Sequence, residues 1–102
     1  MNIQNLLKQA QKMQKEVGKM ESELNEKTYE SSIGGGVVKV SMKGNLTLQN
    51  ITIDESLLVK ESKEDLEDML VSCINDTLKQ INNEKDALMK NITGGVKLPG
   101  GF

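Results

Sequence analysis

Residues 3–26 carry the feature that most limits how this chain can fold, because an apolar residue recurs there at every third or fourth position. The repeat runs without interruption through Ile3, Leu6, Ala10, Met13, Val17, Met20 and Leu24. Such spacing keeps one apolar seam on one side of an α-helix, where the seam faces a partner helix. The sequence therefore predicts a long N-terminal helix whose seam is covered by another element.

Four lysines share the side of this helix that lies opposite the seam. At about 100° per residue they fall within an arc of roughly 60°, and they are Lys8, Lys12, Lys15 and Lys19. The acidic residues Glu21, Glu23 and Glu26 follow in the last turns. Two interpretations stay open. The lysines either solubilise an outer helix face or follow a nucleic-acid backbone, which requires cations at intervals but no base-reading geometry.

The composition limits the size of the core. The chain has 102 residues, with one Tyr, one Phe, no Trp and six Met. Because a second core would leave each half too small to be stable, we expect a single domain over residues 1–93. A core with so little aromatic bulk leaves much burial to contacts between chains. We therefore expect an obligate oligomer, most simply a twofold homodimer.

The charge balance restricts what kind of partner is expected. The formal net charge is −2 and the isoelectric point is near 5.2, so the whole molecule lacks the basic signature of a DNA-binding protein. Screening over about 8 to 10 Å nevertheless lets a local row of lysines act independently of distant acids. All 13 cationic residues are Lys. Without Arg to read guanine in a bidentate manner, any DNA contact should be made mainly to phosphates.

The middle of the chain has the alternation of an antiparallel sheet. Strands are predicted over residues 28–33, 37–43 and 46–53 from their β-branched residues and period of two. Gly34–Gly36 predicts the first hairpin connection, since three glycines let the backbone turn without a Cβ penalty. Gly44-Asn45 suits the two central residues of a second, tight turn. We therefore expect a three-stranded meander.

The third strand contains a change of phase. Leu46 and Leu48 share one parity, whereas Ile51 and Ile53 share the other. In a regular strand the two pairs would point to opposite faces of the sheet. A bulge or strong twist near Gln49-Asn50 would return both pairs to the core.

A short helical turn at residues 54–58 leads towards a second long helix. Ser62 and Asp65 predict a capping box at its start. The wide apolar face expected to pack on the sheet comprises Leu66, Met69, Leu70, Cys73, Ile74, Thr77, Leu78 and Ile81. Beyond Ile81 the apolar positions thin out, so this end of the helix is expected to project. Glycines and a proline after Thr93 end the helix, and residues 94–102 are predicted to be a flexible tail.

The second helix carries lysines near its end. Lys79 and Lys90 point away from its apolar face, Lys85 lies to the side, and Glu84 and Asp86 interrupt them. As a basic patch this is weaker than the first row, and a solvated helix end is the simpler interpretation.

The sequence offers few groups for catalysis. There is no His, and hence neither the commonest general base near neutral pH nor a Cys-His, Ser-His-Asp or Cys/His metal set. Cys73 is the sole cysteine, and we expect it to be a buried small hydrophobe in a reducing compartment. No long apolar run or signal-peptide pattern occurs. We therefore expect a cytoplasmic protein that is not an enzyme and has no cofactor, metal, small-molecule substrate or membrane association.

Five short blocks of sequence follow one another over nearly the whole chain. They are residues 7–14, residues 34–40, residues 53–58, residues 66–69 with Asn75-Asp76, and residues 93–95 with 98–102. Together with the order of helix, three strands, short turn and long helix, these blocks resemble the YbaB/EbfC family of nucleoid-associated proteins.

The resemblance implies an α+β homodimer in which sheets and helices form a joint core and long helices project as the arms of a clamp. It implies binding of duplex DNA with modest sequence preference, and a role in nucleoid organisation and gene regulation. The DNA-binding residues would be Lys8, Lys12, Lys15 and Lys19 on the first helix and Lys79, Lys85 and Lys90 on the last. The alternative is a structural or adaptor protein whose projecting helices bind a protein partner.

Overall fold

Two long helices flank a small antiparallel sheet. The computed structural model describes residues 2–93 of the chain. Its elements are helix α1 (Ile3–Glu26), strands β1 (Thr28–Ile33), β2 (Val38–Lys43) and β3 (Leu48–Ile53), 3-10 turns at Glu55–Leu57 and Lys60–Ser62, and helix α2 (Lys63–Thr93). The predicted α+β order of elements is confirmed. The predicted flexible tail, residues 94–102, lies outside the described residues, and the extent of the domain stays a prediction.

Helix α1 has the bounds that its apolar repeat predicts. At its start the side-chain oxygen of Asn2 accepts a hydrogen bond of 3.0 Å from the backbone N–H of Gln4, which satisfies one of the unpaired donors of the first turn. At its end Lys27 turns to an extended conformation, with φ −71° and ψ 142°. The chain therefore passes from α1 into β1 with almost no loop.

The sheet is a meander in the order β1-β2-β3, with both pairs of strands antiparallel. The connection between β1 and β2 is the predicted glycine turn. Gly34, Gly35 and Gly36 have φ values of 63°, 74° and 96°, a region in which a Cβ atom is disfavoured. The three consecutive glycines are therefore required by the backbone of this turn.

The second hairpin differs in detail from the prediction. Gly44-Asn45 are its central residues, since the N–H of Leu46 donates to the carbonyl of Lys43 at 2.8 Å. Leu46 itself takes a positive φ of 69°, and the N–H of Lys43 pairs with the carbonyl of Thr47 at 2.9 Å. The loop is therefore longer than a two-residue turn, and β3 begins at Leu48 instead of Leu46.

The change of phase in β3 is resolved by a bulge where the sequence places it. Ser41 pairs with Asn50 and the next residue, Met42, pairs with Leu48, so Gln49 is the extra residue on β3. The bulge brings Leu48 onto the sheet face that Ile51 occupies, because residues that pair directly across two strands share a face.

The expectation that the bulge returns these residues to the core is wrong within one chain. Leu48 and Ile51 are 43% and 41% exposed, and Leu46 is 55% exposed in its loop; only Ile53 is half-buried. The reason is that α2 packs over β1 and β2, while β3 lies at the edge of the sheet. The apolar face of β3 is therefore open.

The core is formed by α2, the covered sheet face and the end of α1. Its buried apolar residues are Leu24, Tyr29, Val38, Val40, Met42, Cys73 and Ile81. Two buried groups within it are hydrogen-bonded: the Thr77 hydroxyl donates to the carbonyl of Cys73 at 2.9 Å, and the Cys73 thiol donates to the carbonyl of Ser31 at 3.3 Å. The predicted burial of Cys73 and the predicted apolar face of α2 are confirmed.

The start of α2 differs from a capping box. Ser62 lies inside the 3-10 turn Lys60–Ser62, which runs directly into α2. The extended residue that precedes this helical stretch is Val59, with φ −128° and ψ 152°. A capping serine needs that extended backbone, so the predicted capping box at Ser62 is wrong. Glu64 and Asp65 do lie in the first turn of α2, where the helix dipole favours anions.

Candidate nucleic-acid interface

The lysine row lies on a projecting part of the molecule. The molecule measures 69 × 27 × 16 Å, and α1 and the end of α2 form its long axis, since only the last turns of α1 reach the sheet. We call these two helical segments the arms. Lys8, Lys12, Lys15 and Lys19 are all exposed on α1. Among residues 2–93 none of these four ammonium groups forms an ion pair.

The row is less purely basic than its lysines suggest. Glu16 lies four residues after Lys12 and three before Lys19, and it is exposed in the same part of α1. These spacings place side chains on neighbouring positions of a helix surface. No ion pair joins Glu16 to either lysine in the described residues. Glu16 therefore borders the row and lowers its local positive charge without neutralising a particular lysine.

The apolar seam of α1 is covered over only part of its length. Leu24 is buried, and Met13, Val17 and Met20 are half-buried. Val17, Met20 and Leu24 share a groove with the α2 residues Leu88 and Met89. The prediction of a partner helix is therefore confirmed for the later turns, with α2 as that partner. At the tip of α1 the seam is open.

The three lysines of α2 do not form one patch. Lys79 lies beside the edge of β1, near Asp76, Gln80 and Asn83. Lys85 borders the groove between α1 and α2, on the side of Glu21. Lys90 is exposed near the end of the helix; it is separated from Lys79 by three helical turns, about 16 Å. The structure thus brings together the row on α1 but disperses the lysines of α2.

A joint of three side chains holds the bases of the two arms together. The ammonium group of Lys27, just after α1, lies 2.7 Å from a carboxylate oxygen of Glu84 on α2 and 5.1 Å from the centre of the Tyr29 ring. The hydrogen bond from Lys27 lowers the pKa of Glu84. Burial, together with the nearby carboxylate of Glu84, raises the pKa of Tyr29 to about 12. The joint therefore favours the charged Glu84 and the neutral Tyr29.

Sequence patterns gave no signal for this joint. Lys27 and Glu84 are 57 residues apart, and neither belongs to a motif. A carboxylate that interrupts the lysines of α2 looks like a solvated residue until the fold brings it to the base of α1.

The described residues provide little for other chemistry. Residues 2–93 contain no group of three or more His, Cys, Asp or Glu side chains that is arranged to hold a metal ion. Burial raises the pKa of the Cys73 thiol, which makes it a poor nucleophile. Within the same residues, neither helix has an apolar stretch of the length needed to cross a bilayer.

Comparison with known proteins finds relatives that match this chain over nearly its whole length. The chain is 41% identical over 101 residues to a nucleoid-associated protein of Thermoanaerobacter sp. (strain X514), and the alignment covers 99% of this chain and 91% of that protein. It is 40% identical over 102 residues to a nucleoid-associated protein of Clostridium novyi (strain NT), and the alignment covers 100% of this chain and 90% of that protein.

A solved structure has the same fold. It is the crystal structure of an uncharacterized protein from Helicobacter pylori, with 33% sequence identity and a TM-score of 0.77 over 90% of this chain and 97% of that chain. The model of one family, described as the YbaB/EbfC DNA-binding family, matches residues 1–96. This chain therefore belongs to the YbaB/EbfC DNA-binding family.

Proposed function

We propose that this protein binds duplex DNA as a homodimer, mainly through contacts between lysines and phosphates, and that it acts in the cytoplasm in nucleoid organisation and gene regulation. The observation that carries the proposal is the row of Lys8, Lys12, Lys15 and Lys19. These side chains are exposed on one projecting helix and form no ion pair within residues 2–93. The nucleoid-associated names of its relatives support the same function.

The spacing of the row suits a phosphate backbone. Lys8, Lys12, Lys15 and Lys19 recur every three or four residues, which corresponds to about 5 to 6 Å along a helix axis. An ammonium group is a point charge that neutralises phosphate from many directions and reads no base pattern. We therefore expect affinity to depend strongly on salt and weakly on DNA sequence.

The lysines of α2 are a second, smaller part of the proposed interface. Lys90 is exposed on the outer part of its arm and can meet DNA that runs along the arms. Lys85 borders the interior groove beside Glu21, and Lys79 lies near Asp76. These acidic neighbours reduce the local potential, so we expect the lysines of α2 to contribute less than those of α1.

The proposed dimer accounts for the open face of β3. Leu48, Ile51 and Ile53 share the sheet face that α2 covers over the neighbouring strands, because they pair directly with the buried Met42, Val40 and Val38. An apolar strand face that is more than 40% exposed at two positions is unfavourable in water and typical of a contact surface. A second copy of this chain is the partner that we propose for this face, because it would add apolar contacts to a core of this small size.

Helix α2 supplies the complementary surface. Gln80 donates hydrogen bonds to the carbonyl and the side chain of β1 residues Glu30 and Ser31, so its side of α2 faces β1. Val71 lies nine residues earlier, about 180° around the helix, and it is 61% exposed. Val71 therefore faces the side where β3 is open. In a twofold dimer this side of α2 would cover β3 of the partner, and α2 of the partner would cover β3 of this chain.

The test measures binding to a short DNA duplex at several salt concentrations between 50 and 200 mM, with fluorescence anisotropy as the readout. If a dimer uses about six lysines, log affinity should fall against log salt with a slope of about −5. Replacing Lys8 and Lys12 by Gln removes four contacts per dimer and should reduce the slope to about −2. Binding that does not change over this range of salt contradicts phosphate recognition.

The matched control removes the same charge elsewhere. Lys60 begins the 3-10 turn before α2 and Lys63 is the first residue of α2, so both lie away from the arms, and both are exposed. Replacing them by Gln should leave the slope near that of the unchanged protein. If this control weakens binding as much as the changes in α1 do, net charge decides affinity and the row has no special role.

A second candidate function is that of an adaptor protein. The observation that favours it is the open apolar tip of α1, where Ile3, Leu6 and Leu7 are exposed. An apolar helix face of this kind can receive a helix of another protein. This function predicts that Leu6→Ser abolishes binding of the partner protein, whereas the Lys8→Gln, Lys12→Gln change has little effect on it.

A further inference from the structure

The direction of α1 is set near its base, because little else holds this helix. Within the described residues, Leu24 is the one residue of α1 that is buried, and the helix contacts mainly α2 and β2. Lys8 lies 19 residues before Lys27, which is about 28 Å along the helix axis. A rotation of α1 by about 10° at Lys27 would therefore move Lys8 by about 5 Å, which is about the spacing between neighbouring lysines of the row.

Two contacts of Lys27 meet the base of α1 from different elements. Its carbonyl accepts a hydrogen bond of 2.9 Å from the N–H of Gly44 in the second hairpin loop, which fixes one point of the chain against the sheet. Its ammonium group lies 2.7 Å from Glu84. Glu84 follows Ile81, which is buried in one cluster with Leu24, so the carboxylate stands where α2 leaves the core. One fixed point leaves α1 free to rotate, whereas a second contact on α2 fixes a direction.

Apolar packing beside the joint leaves room for α1 to move. An open hollow of about 270 Å³ lies between the arms and is lined by Met20, Glu23, Leu24, Lys27, Glu84 and Leu88. A second hollow, of about 490 Å³, also borders Lys27 and Glu84 and reaches Tyr29. Farther out, the seam residues Val17 and Met20 are only half-buried. Interdigitated side chains, which make protein interiors rigid, are therefore sparse at the place where the ion pair joins the two arms.

We propose that the ion pair between Lys27 and Glu84 is a positioning contact, which holds α1 at one angle to α2 and the sheet and thereby sets where the lysine row stands. Its consequence for DNA rests on the proposed function, whereas the angle itself does not. The two side chains are 56% and 34% exposed, and an ion pair this exposed contributes little to stability. Loss of the pair should therefore change the angle of α1 far more than the free energy of unfolding.

Distances between spin labels on the full chain test the angle without DNA. Labels are attached at Gln9→Cys on α1 and Ser32→Cys on β1, two exposed positions, in a Cys73→Ala background. Labelled chains are diluted with unlabelled chains, so that only distances within one chain are measured. Replacing Lys27 and Glu84 by Ala removes the pair at unchanged net charge. We expect the distance distribution to broaden or to shift by about 5 Å, while the urea midpoint stays nearly unchanged.

A charge swap and a matched control show whether the pair itself is responsible. Lys27→Glu with Glu84→Lys rebuilds the pair in reverse and should restore the narrow distribution of the unchanged protein. Lys63→Ala with Glu67→Ala removes another exposed ion pair, of 3.6 Å, at the start of α2 and should leave the distribution as it is. The proposal is overturned if the Lys27→Ala, Glu84→Ala variant keeps the original distribution, or if the swap fails to restore it.

DNA binding by the same variants separates this inference from the proposed function. If loss of the pair takes one lysine per chain away from its phosphate, the slope of log affinity against log salt should fall from about −5 to about −4, although net charge is unchanged. A changed angle with an unchanged slope and affinity would overturn the link between the joint and DNA. If the unchanged protein binds no DNA, the proposed function fails, and the spin-label distances still decide whether the pair sets the angle.

Discussion

At the scale of single residues, the end of α1 is positioned by a close approach of its backbone to the backbone at Gly44. Gly44 lies in the second hairpin loop, and its N–H donates to the carbonyl of Lys27 at 2.9 Å. A Cβ atom at this position would lie only 1.8 Å from the carbonyl oxygen of Leu24. The end of α1 is thereby held against the sheet by a contact that only glycine permits.

We predict that Gly44→Ala lowers the free energy of unfolding by about 3 kcal/mol, because the contact is with backbone that cannot move aside. Gly18→Ala is the matched control: no atom lies within 4 Å of its added Cβ, and the change should raise stability by about 0.5 to 1 kcal/mol through helix propensity. Urea unfolding at one fixed protein concentration measures both. Equal changes in the free energy of unfolding for the two substitutions would contradict the close contact between Gly44 and the carbonyl of Leu24.

The joint at the base of the arms makes a prediction about Tyr29, which is the only tyrosine of the chain. Its pKa is raised to about 12 by burial and by Glu84, whereas an unfolded tyrosine titrates near about 10. Folding thus favours the protonated phenol. The stabilisation, about 3 kcal/mol, is complete below about pH 10 and is lost as pH rises towards 12.

Absorbance of tyrosinate should therefore show a midpoint near pH 12 in the folded protein, or a rise that coincides with alkaline unfolding. In urea the midpoint should return to about 10. Glu84→Gln removes one cause of the shift and should lower the folded midpoint while keeping it above the unfolded value. A folded midpoint near 10 would show that the phenol is accessible to water.

At the scale of elements, the relation between α2 and the sheet leaves one strand without cover. Helix α2 packs over β1 and β2, and the side-chain amide of its residue Gln80 donates a hydrogen bond to the backbone carbonyl of Glu30 on β1. Strand β3 carries its apolar residues on the same face but beyond the helix. The bulge at Gln49 matters here, because it aligns Leu48 with Ile51 into one continuous apolar surface.

We predict that Leu48→Gln with Ile51→Gln converts the proposed dimer to a monomer, since two polar side chains would be buried in the contact without partners. Asn50→Gln with Thr52→Gln is the control on the opposite face of the same strand, where Asn50 pairs with Ser41 and Thr52 with Lys39. Sedimentation velocity distinguishes the two outcomes. A dimer that survives the first pair of changes would place the contact elsewhere.

At the scale of the whole molecule, the long arm formed by α1 separates the lysine row from most of the acids. The radius of gyration is 19.8 Å, against about 13 Å for a compact chain of this length. Because charges more than about 10 Å apart are largely screened, the net charge of −2 does not describe the field near the tip of α1. A dimer doubles the number of such rows and adds the phosphate contacts of both.

Dimerisation should therefore appear in the salt dependence of DNA binding. We predict that the monomeric Leu48→Gln, Ile51→Gln variant, which keeps every charge, binds DNA with a slope of about −3 instead of about −5. The Asn50→Gln, Thr52→Gln control should keep the full slope. Anisotropy titrations at several salt concentrations measure all three proteins. A monomer with the full slope would mean that one chain makes all the contacts.

The sequence by itself determined the elements and their order. The 3-4 repeat of α1, the three glycines at positions 34–36 and the phase change near Gln49 each depend on interactions between residues close in the chain. Their predicted positions agree with the structure for that reason. The lysine row is likewise a property of one helix, so its shared side and its exposure were predictable from spacing alone.

The tertiary structure decided how far each apolar surface is covered, because burial depends on the placement of distant elements. It showed that α2 covers β1 and β2 but leaves β3 open, that α2 covers the seam of α1 only from its later turns, and that Lys85 borders a groove while Lys90 projects. Contacts such as Lys27 with Glu84, or Gly44 with the carbonyl of Leu24, join residues far apart in the chain. No local pattern encodes such distances, so only the folded arrangement reveals them.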